Sequence, residues 1–169
     1  CSHIVFPGQG AASECMNNIE KYLDLDDLKN LIRQKTFLGI CMGLQVLMSQ
    51  SEENNGTNCL GIIDGPVTEL KNKINDSLKI PHMGWNKVNQ NQKHPLWEKI
   101  SDESFFYFVH SYVVQPVKKN EILSTTKYGI NFTSAVSKDN LVAVQFHPEK
   151  SSNSGLKLLE NFVNWDGII

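Results

Sequence analysis

No run of this chain is long and apolar enough to span a bilayer, no two cysteines stand at Cys-x-x-Cys spacing, and neither sign of charge prevails. The four cysteines (Cys1, Cys15, Cys41 and Cys59) are scattered over 169 residues, which argues against a zinc site and against a disulfide framework. Sixteen Lys and Arg against 18 Asp and Glu leave a formal charge of −2, so nothing recommends nucleic acid or a membrane surface as a partner. There is no signal-peptide pattern, no internal repeat and no low-complexity tract. These absences leave a single domain over 1–169, long enough for a sizeable core, with the composition of a cytoplasmic enzyme. No metal and no cofactor is expected.

What is present is concentrated at Gly39-Ile40-Cys41-Met42-Gly43. Thr36-Phe37-Leu38 before it is a short apolar run suited to a buried strand, and Leu44 to Met48 after it has the composition of a helix packed on a sheet. Glycines two residues either side of a cysteine permit the sharp turn and close strand–helix approach of a nucleophile elbow. At such a turn the sulfur is expected to point to solvent above the unpaired N–H groups of the helix, which would lower its pKa toward thiolate. The pentapeptide also suits plain strand-to-helix packing around a buried cysteine.

A second segment supplies what a thiol nucleophile needs. Leu141 to Phe146 reads as a strand and runs into His147-Pro148-Glu149. Pro148 stops the strand, leaving His147 and Glu149 just past its carboxyl end, where ligands bind in open α/β sheets. A histidine can take the thiol proton, and a carboxylate can hold its tautomer and ring orientation. Catalytic roles are therefore assigned to Cys41, His147 and Glu149.

Helices are expected over Ser13–Leu23, Asp26–Gln34 and Ser154–Trp165, the last with Leu156, Leu159 and Phe162 in the core. Strands are expected over Val67–Leu70, Ile80–Val88, Phe105–Tyr112, Ile122–Thr126 and Phe132–Ser137, and a loop over 49–56. The alternation predicts an α/β fold with a doubly wound, mostly parallel sheet flanked by helices, and the late run of short strands predicts antiparallel additions on one side.

Five segments together resemble the class I (triad) glutamine amidotransferases, most closely the glutaminase subunits of imidazole glycerol phosphate synthase. They are Pro7 to Ala11, Gly39 to Gln45, Pro81 to Asn86, Tyr107 to Tyr112 and His147 to Ser151. The elbow and His-Pro-Glu are common to the class; Met83 to Asn86 and Tyr107 to Tyr112 are the more specific part. The resemblance implies a flavodoxin-like fold. It also implies hydrolysis of glutamine through a Cys41 thioester, with ammonia passed to a cyclase (synthase) subunit in a heterodimer serving histidine biosynthesis. Backbone N–H groups of Met42 and of the Gly8-Gln9-Gly10 loop would form the oxyanion hole. Gln45 and the backbone of His110, Ser111 and Tyr112 would hold the glutamine α-groups. Trp85, Tyr107 and Lys150 would lie at the partner junction, as would the segment carrying His82. His110 reads as a structural residue in an apolar strand, while His3 and His94 have no evident context.

The family also carries a strand–helix unit of roughly 30 residues before the position of Ile4, so the sequence is expected to lack one strand of the sheet. Gln9 stands where the family has a small apolar residue, and Ala12 where it has an aromatic. Three alternatives remain. One is a paralogous subunit feeding ammonia to another acceptor, as in amidino-sugar synthesis. Another is a stand-alone γ-glutamyl hydrolase, and the third is a non-catalytic scaffold, which an intact Cys41, His147 and Glu149 disfavours.

Overall fold

The computed structural model describes residues 1–75 and 78–168. It opens with β1 (His3–Gly8), α1 (Ala12–Tyr22), α2 (Leu25–Gln34), β2 (Thr36–Cys41) and α3 (Met42–Gln45). Short strands β3 (Gln50–Ser51) and β4 (Thr57–Asn58) precede β5 (Pro66–Glu69), then come β6 (His82–Gln90), β7 (Ser104–His110) and β8 (Tyr112–Val114). The chain closes with β9 (Ile122–Tyr128), β10 (Ile130–Lys138), β11 (Leu141–Val144) and α4 (Ser152–Asn164).

The main sheet runs β1-β2-β11-β10-β8-β5-β3-β4, with β9 joining β10 to the β6–β7 hairpin. Strands β1, β2 and β11 are mutually parallel neighbours, and β3 pairs parallel with β5. The pairings of β10, β8, β9, β6 and β7 are antiparallel. The fold is the expected α/β arrangement, but the sheet is mixed rather than mostly parallel, parallel pairing being confined to β3–β5 and to the strands that carry the elbow and lead to His147.

All six residues of β2 are buried, as a strand covered on both faces requires. Along β11, Leu141 and Ala143 join the apolar cluster under α1 and α2, while Val142 and Val144 join the one that includes Phe162 of α4. That two-residue alternation divides one sheet between two cores. Helix α2 starts where Asp24 accepts from the N–H groups of Asp26 and Asp27 at 2.9 and 3.0 Å, a side-chain N-cap. Helix α1 has no such cap of its own; Glu53, 41 residues away, accepts from the Ala12 N–H at 2.7 Å.

Three further expectations change. The elbow helix does not reach Met48 but ends at Gln45, because the Leu47 and Met48 N–H groups bond the Leu44 and Gln45 carbonyls, three rather than four residues back. The carbonyls of Val46, Leu47 and Met48 are taken by the N–H groups of residues 60–63. The 49–56 loop contains β3, which pairs with both β4 and β5. In α4, Phe162 is buried and Leu159 packs partly against the core, but Leu156 is exposed. The inward face there is Gly155, Leu158, Asn161 and Phe162, and Leu156 lies outside that 3.6-residue stripe.

Candidate active site

Cys41 sits at the end of β2 with φ 55° and ψ −106°, a strained conformation for a non-glycine residue. The flanking glycines make the turn possible by contact. A Cβ on Gly43 would stand 2.0 Å from the Phe6 carbonyl oxygen, and one on Gly39 would stand 2.7 Å from the Gly43 carbonyl oxygen. The elbow is therefore a place where β1, β2 and α3 meet backbone to backbone.

The thiol departs from expectation. Cys41 is 9% exposed rather than open to solvent. Burial pushes its pKa up to about 11; the Met42 N–H works against that, Glu149 adds to it, and the Gln145 amide and Lys150 pull it down. Loss of hydration outweighs the N–H groups of a helix only four residues long. The resting group is a thiol, and it needs a base.

His147, the residue read as that base, is oriented from two directions. Glu149 Oε1 accepts from His147 Nδ1 at 2.8 Å, which leaves Nε2 as the unprotonated nitrogen of the neutral ring. Nε2 is buried and has no hydrogen-bond partner among the described residues. The His147 main chain is held by β7: its N–H donates to the Tyr107 carbonyl at 2.9 Å. Ser151 Oγ donates to the His147 carbonyl at 2.6 Å and accepts from the Tyr107 N–H at 2.9 Å.

Cys41, Met42, Gln45, His147 and Lys150 line one cavity of about 270 Å³, together with Gln9, Gly10, Glu53 and residues 109–112, at the small end of ligand pockets. Of the assigned oxyanion residues, Gln9, Gly10 and Met42 reach the cavity, and Gly10 has φ +86°. Gly8 instead packs against Met42, where a Cβ would meet the Met42 Cβ at 2.8 Å. Gln45 donates through Nε2 to Gln145 Oε1 at 3.1 Å and to the Tyr112 carbonyl at 3.5 Å.

Trp85 and Tyr107 do not enter the cavity. They face each other across β6 and β7, edge to face with ring centroids 6.2 Å apart. Alternation puts Met83, Trp85, Phe105, Tyr107 and Val109 on one face of the hairpin, and Met83, Trp85 and Phe105 are exposed. Val109 at one end of that face lines the cavity.

His82 is turned inward, against the expectation for its segment. It is buried, stacks on Tyr128 and Phe108, and hydrogen-bonds His110 at 2.9 Å. His110 Nδ1 donates to the Tyr112 carbonyl at 2.9 Å, so His110 is structural, as read. His3 bonds the Trp165 carbonyl at 2.8 Å, and His94 accepts from the Leu96 N–H at 3.0 Å. Two residues escaped the sequence reading: Glu53, which lines the cavity, and Gln145, which is fully buried behind Cys41. Glu53 lies in what read as a featureless polar loop. Gln145 is a polar interruption of an apolar strand, which was a signal. Among the described residues no three His, Cys, Asp or Glu side chains converge as a metal site would require, and no helix is long and apolar enough to cross a membrane.

The family profile of the class-I glutamine amidotransferases matches residues 2–165. The chain belongs to that family. Among its relatives, the imidazole glycerol phosphate synthase subunit HisH of Hydrogenovibrio crunogenus is 50% identical over 164 residues, covering 97% of this chain and 77% of its own. The HisH subunit of Thiobacillus denitrificans is 50% identical over 168 residues, covering 96% and 73%. A crystal structure of a glutamine amidotransferase matches with a TM-score of 0.67 at 17% identity, covering 96% of this chain and 79% of its own. The glutaminase domain of Trypanosoma brucei CTPS, with bound acivicin, matches at 0.57 and 18% identity, covering 97% and 72%. At those identities the two structures speak for a shared amidotransferase fold.

Proposed function

We propose that this amidotransferase is the glutaminase subunit of an imidazole glycerol phosphate synthase. In this role it releases ammonia from L-glutamine for a cyclase subunit with which it forms a heterodimer in histidine biosynthesis. The observation that carries the catalytic part is that His147 lines the same cavity as Cys41 with its Nδ1 held by Glu149 and its Nε2 without a partner among the described residues.

His147 Nε2 takes the Cys41 proton as sulfur attacks the side-chain amide carbon of glutamine. Negative charge then develops on the former carbonyl oxygen, where the N–H groups of Met42 and the Gln9–Gly10 segment are its stabilisers. His147 returns the proton to the leaving nitrogen, and ammonia departs from a thioester. A water molecule, deprotonated by the same nitrogen, releases glutamate and restores the thiol. Gln45 Oε1, buried without a partner among the described residues, is an acceptor for the substrate ammonium, and the backbone of residues 110–112 lines the same end of the cavity.

Free ammonia must leave without meeting water. The apolar face of β6 and β7, which runs from Val109 at the cavity to Trp85 and Phe105, supports docking of the cyclase there, with Tyr107 and Lys150 at the junction. The test is a paired assay of glutamate release and acceptor amination, with and without the cyclase holding its own substrate. Slow glutaminase turnover alone and a large rise in the complex is the expected result. A shift of the loop equilibrium by about 4 kcal/mol of differential affinity would correspond to roughly a thousandfold. Full turnover without any partner refutes the gated subunit and favours a stand-alone hydrolase.

A further inference from the structure

A backbone carbonyl can only accept hydrogen bonds, so the Tyr112 carbonyl is a fixed reference for the amides packed beside it. Gln45 presents Nε2 to it at 3.5 Å and to Gln145 Oε1 at 3.1 Å. With its nitrogen committed, Gln45 turns Oε1 away, and that atom is buried without a partner among the described residues. Gln145 inherits the direction. Its oxygen is taken by Gln45, and its Nε2 donates to Cys41 Sγ at 3.7 Å. Reversing Gln45 would set its oxygen against the oxygens of Tyr112 and Gln145, and reversing Gln145 would set its NH2 group against that of Gln45. Gln145 is fully buried, and its own N–H donates to the Ser134 carbonyl on β10 at 2.8 Å, which anchors the side chain at its root.

We propose that Gln145 holds the Cys41 sulfur in place for attack and stabilises it as a thiolate, the direction of its amide being set by the substrate-binding Gln45. The inference rests on the reading of Cys41 as the nucleophile. An N–H donor bonds an ionised acceptor about twice as strongly as a neutral one, so the contact gains strength as the proton moves from Sγ to His147 Nε2. Gln145 keeps both amide protons throughout. The same geometry links substrate to nucleophile, because a donor arriving at Gln45 Oε1 polarises its N–H toward Gln145, and Gln145 in turn toward sulfur.

Other titratable and charged groups face this centre. His147, Glu149 and Lys150 come from the turn after β11, His110 from the end of β7, Glu53 from the cavity wall, and the Met42 N–H from α3. Among the contributors to the thiol's pKa, the Gln145 amide is a lowering one alongside Met42 and Lys150, set against burial and Glu149.

The test is the pH profile of Cys41 alkylation by iodoacetamide, followed by peptide mass spectrometry, with glutaminase kinetics on the same samples. Gln145→Met removes both the donor and the acceptor at similar length. Gln145→Asn keeps a polar amide but is one methylene too short to reach Gln45 and sulfur together. It carries the test if the Met variant does not fold, as judged by melting temperature. In the folded variant the alkylation midpoint should rise by about one pH unit, with on the order of a tenfold slower reaction at neutral pH, the effect of one hydrogen bond to an ionised acceptor. The kcat should fall by a similar factor and KM should change less. An unmoved midpoint with kcat within twofold overturns the inference. Cys41→Ala separates this from the underlying reading: residual glutamate release by that variant defeats the nucleophile assignment, whereas an inactive Cys41→Ala beside an unmoved Gln145 profile defeats only the role of Gln145.

Discussion

Phe6 and Gly43 meet backbone to backbone: a single methyl group on Gly43 would come within 2.0 Å of the Phe6 carbonyl oxygen. Neither partner can swing aside as a side chain could, because Phe6 pairs with Gly39 inside the parallel sheet. Gly43→Ala should therefore cost about 3 kcal/mol or more. Urea denaturation measures it, and a midpoint equal to that of the parent would disprove the contact.

Cys41 is the only cysteine that the structure sets in the cavity. Cys15 and Cys59 are half-buried, and burial pushes both thiols up, Cys59 to about 11. An electrophilic glutamine analogue should label Cys41 and spare the other two, because Cys41 shares the cavity with His147. Peptide mapping decides; an adduct on Cys15 or Cys59 with Cys41 unmodified sinks the thioester mechanism.

Glu149 touches His147 and is itself about half exposed at the side chain. Its expected role is to orient and charge-balance the ring, so Glu149→Gln should slow turnover roughly ten- to a hundredfold less than Cys41→Ala does. In the subtilisin triad, too, loss of the carboxylate is the milder change. Equal loss in two folded variants would assign Glu149 a more direct part.

Three imidazoles stay neutral in the folded chain. Burial holds His82 and His94 down to about 4 and His110 down to about 3. An unfolded histidine titrates near 6.5, so below that pH the unfolded chain binds more protons and is favoured. The stability these groups contribute is complete above about 6.5 and is lost progressively as pH falls toward 4. Urea midpoints at pH 7.5, 6 and 5 should decline in that order. His94→Asn, which can still accept from Leu96, should flatten the decline; a flat profile in the parent protein contradicts the assignment.

Lys150 lies at the cavity mouth and is exposed. Lys150→Ala should leave labelling of Cys41 in the isolated subunit within a few-fold of the parent, while weakening activation by the cyclase. Unchanged activation in the paired assay would remove Lys150 from the junction.

Much of this was legible in the residues. The elbow could be read because two glycines flank one cysteine at a spacing that permits a tight turn and because His-Pro-Glu, where proline ends a strand, supplies the partner residues such a cysteine needs. What could not be read depends on the third dimension. The protonation of Cys41 is decided by how deeply β2 is buried, which its local sequence does not state. Leu156 looked like core because α4 is amphipathic, yet the inward stripe is set by the packing of Gly155 on the Pro148 carbonyl, where a Cβ would stand at 1.9 Å. Glu53 reaches the cavity only because β3 and β4 fold its loop back over α1, and Gln145 acquires meaning only beside Gln45.

The bond between the His147 N–H and the Tyr107 carbonyl ties a residue of the sheet centre to the hairpin. Cys41 ends β2 in the parallel centre of the sheet, and His147 follows β11 in that same centre but is also tied to β7, the outer strand of a hairpin that reaches the rest of the sheet through β9. Tyr107 thus offers its ring to the outside and its carbonyl to the inside, like a lever with its load one bond away. The imidazole therefore answers to two parts of the sheet at once, and its spacing from Cys41 depends on the seat of the hairpin as well as on the sheet centre.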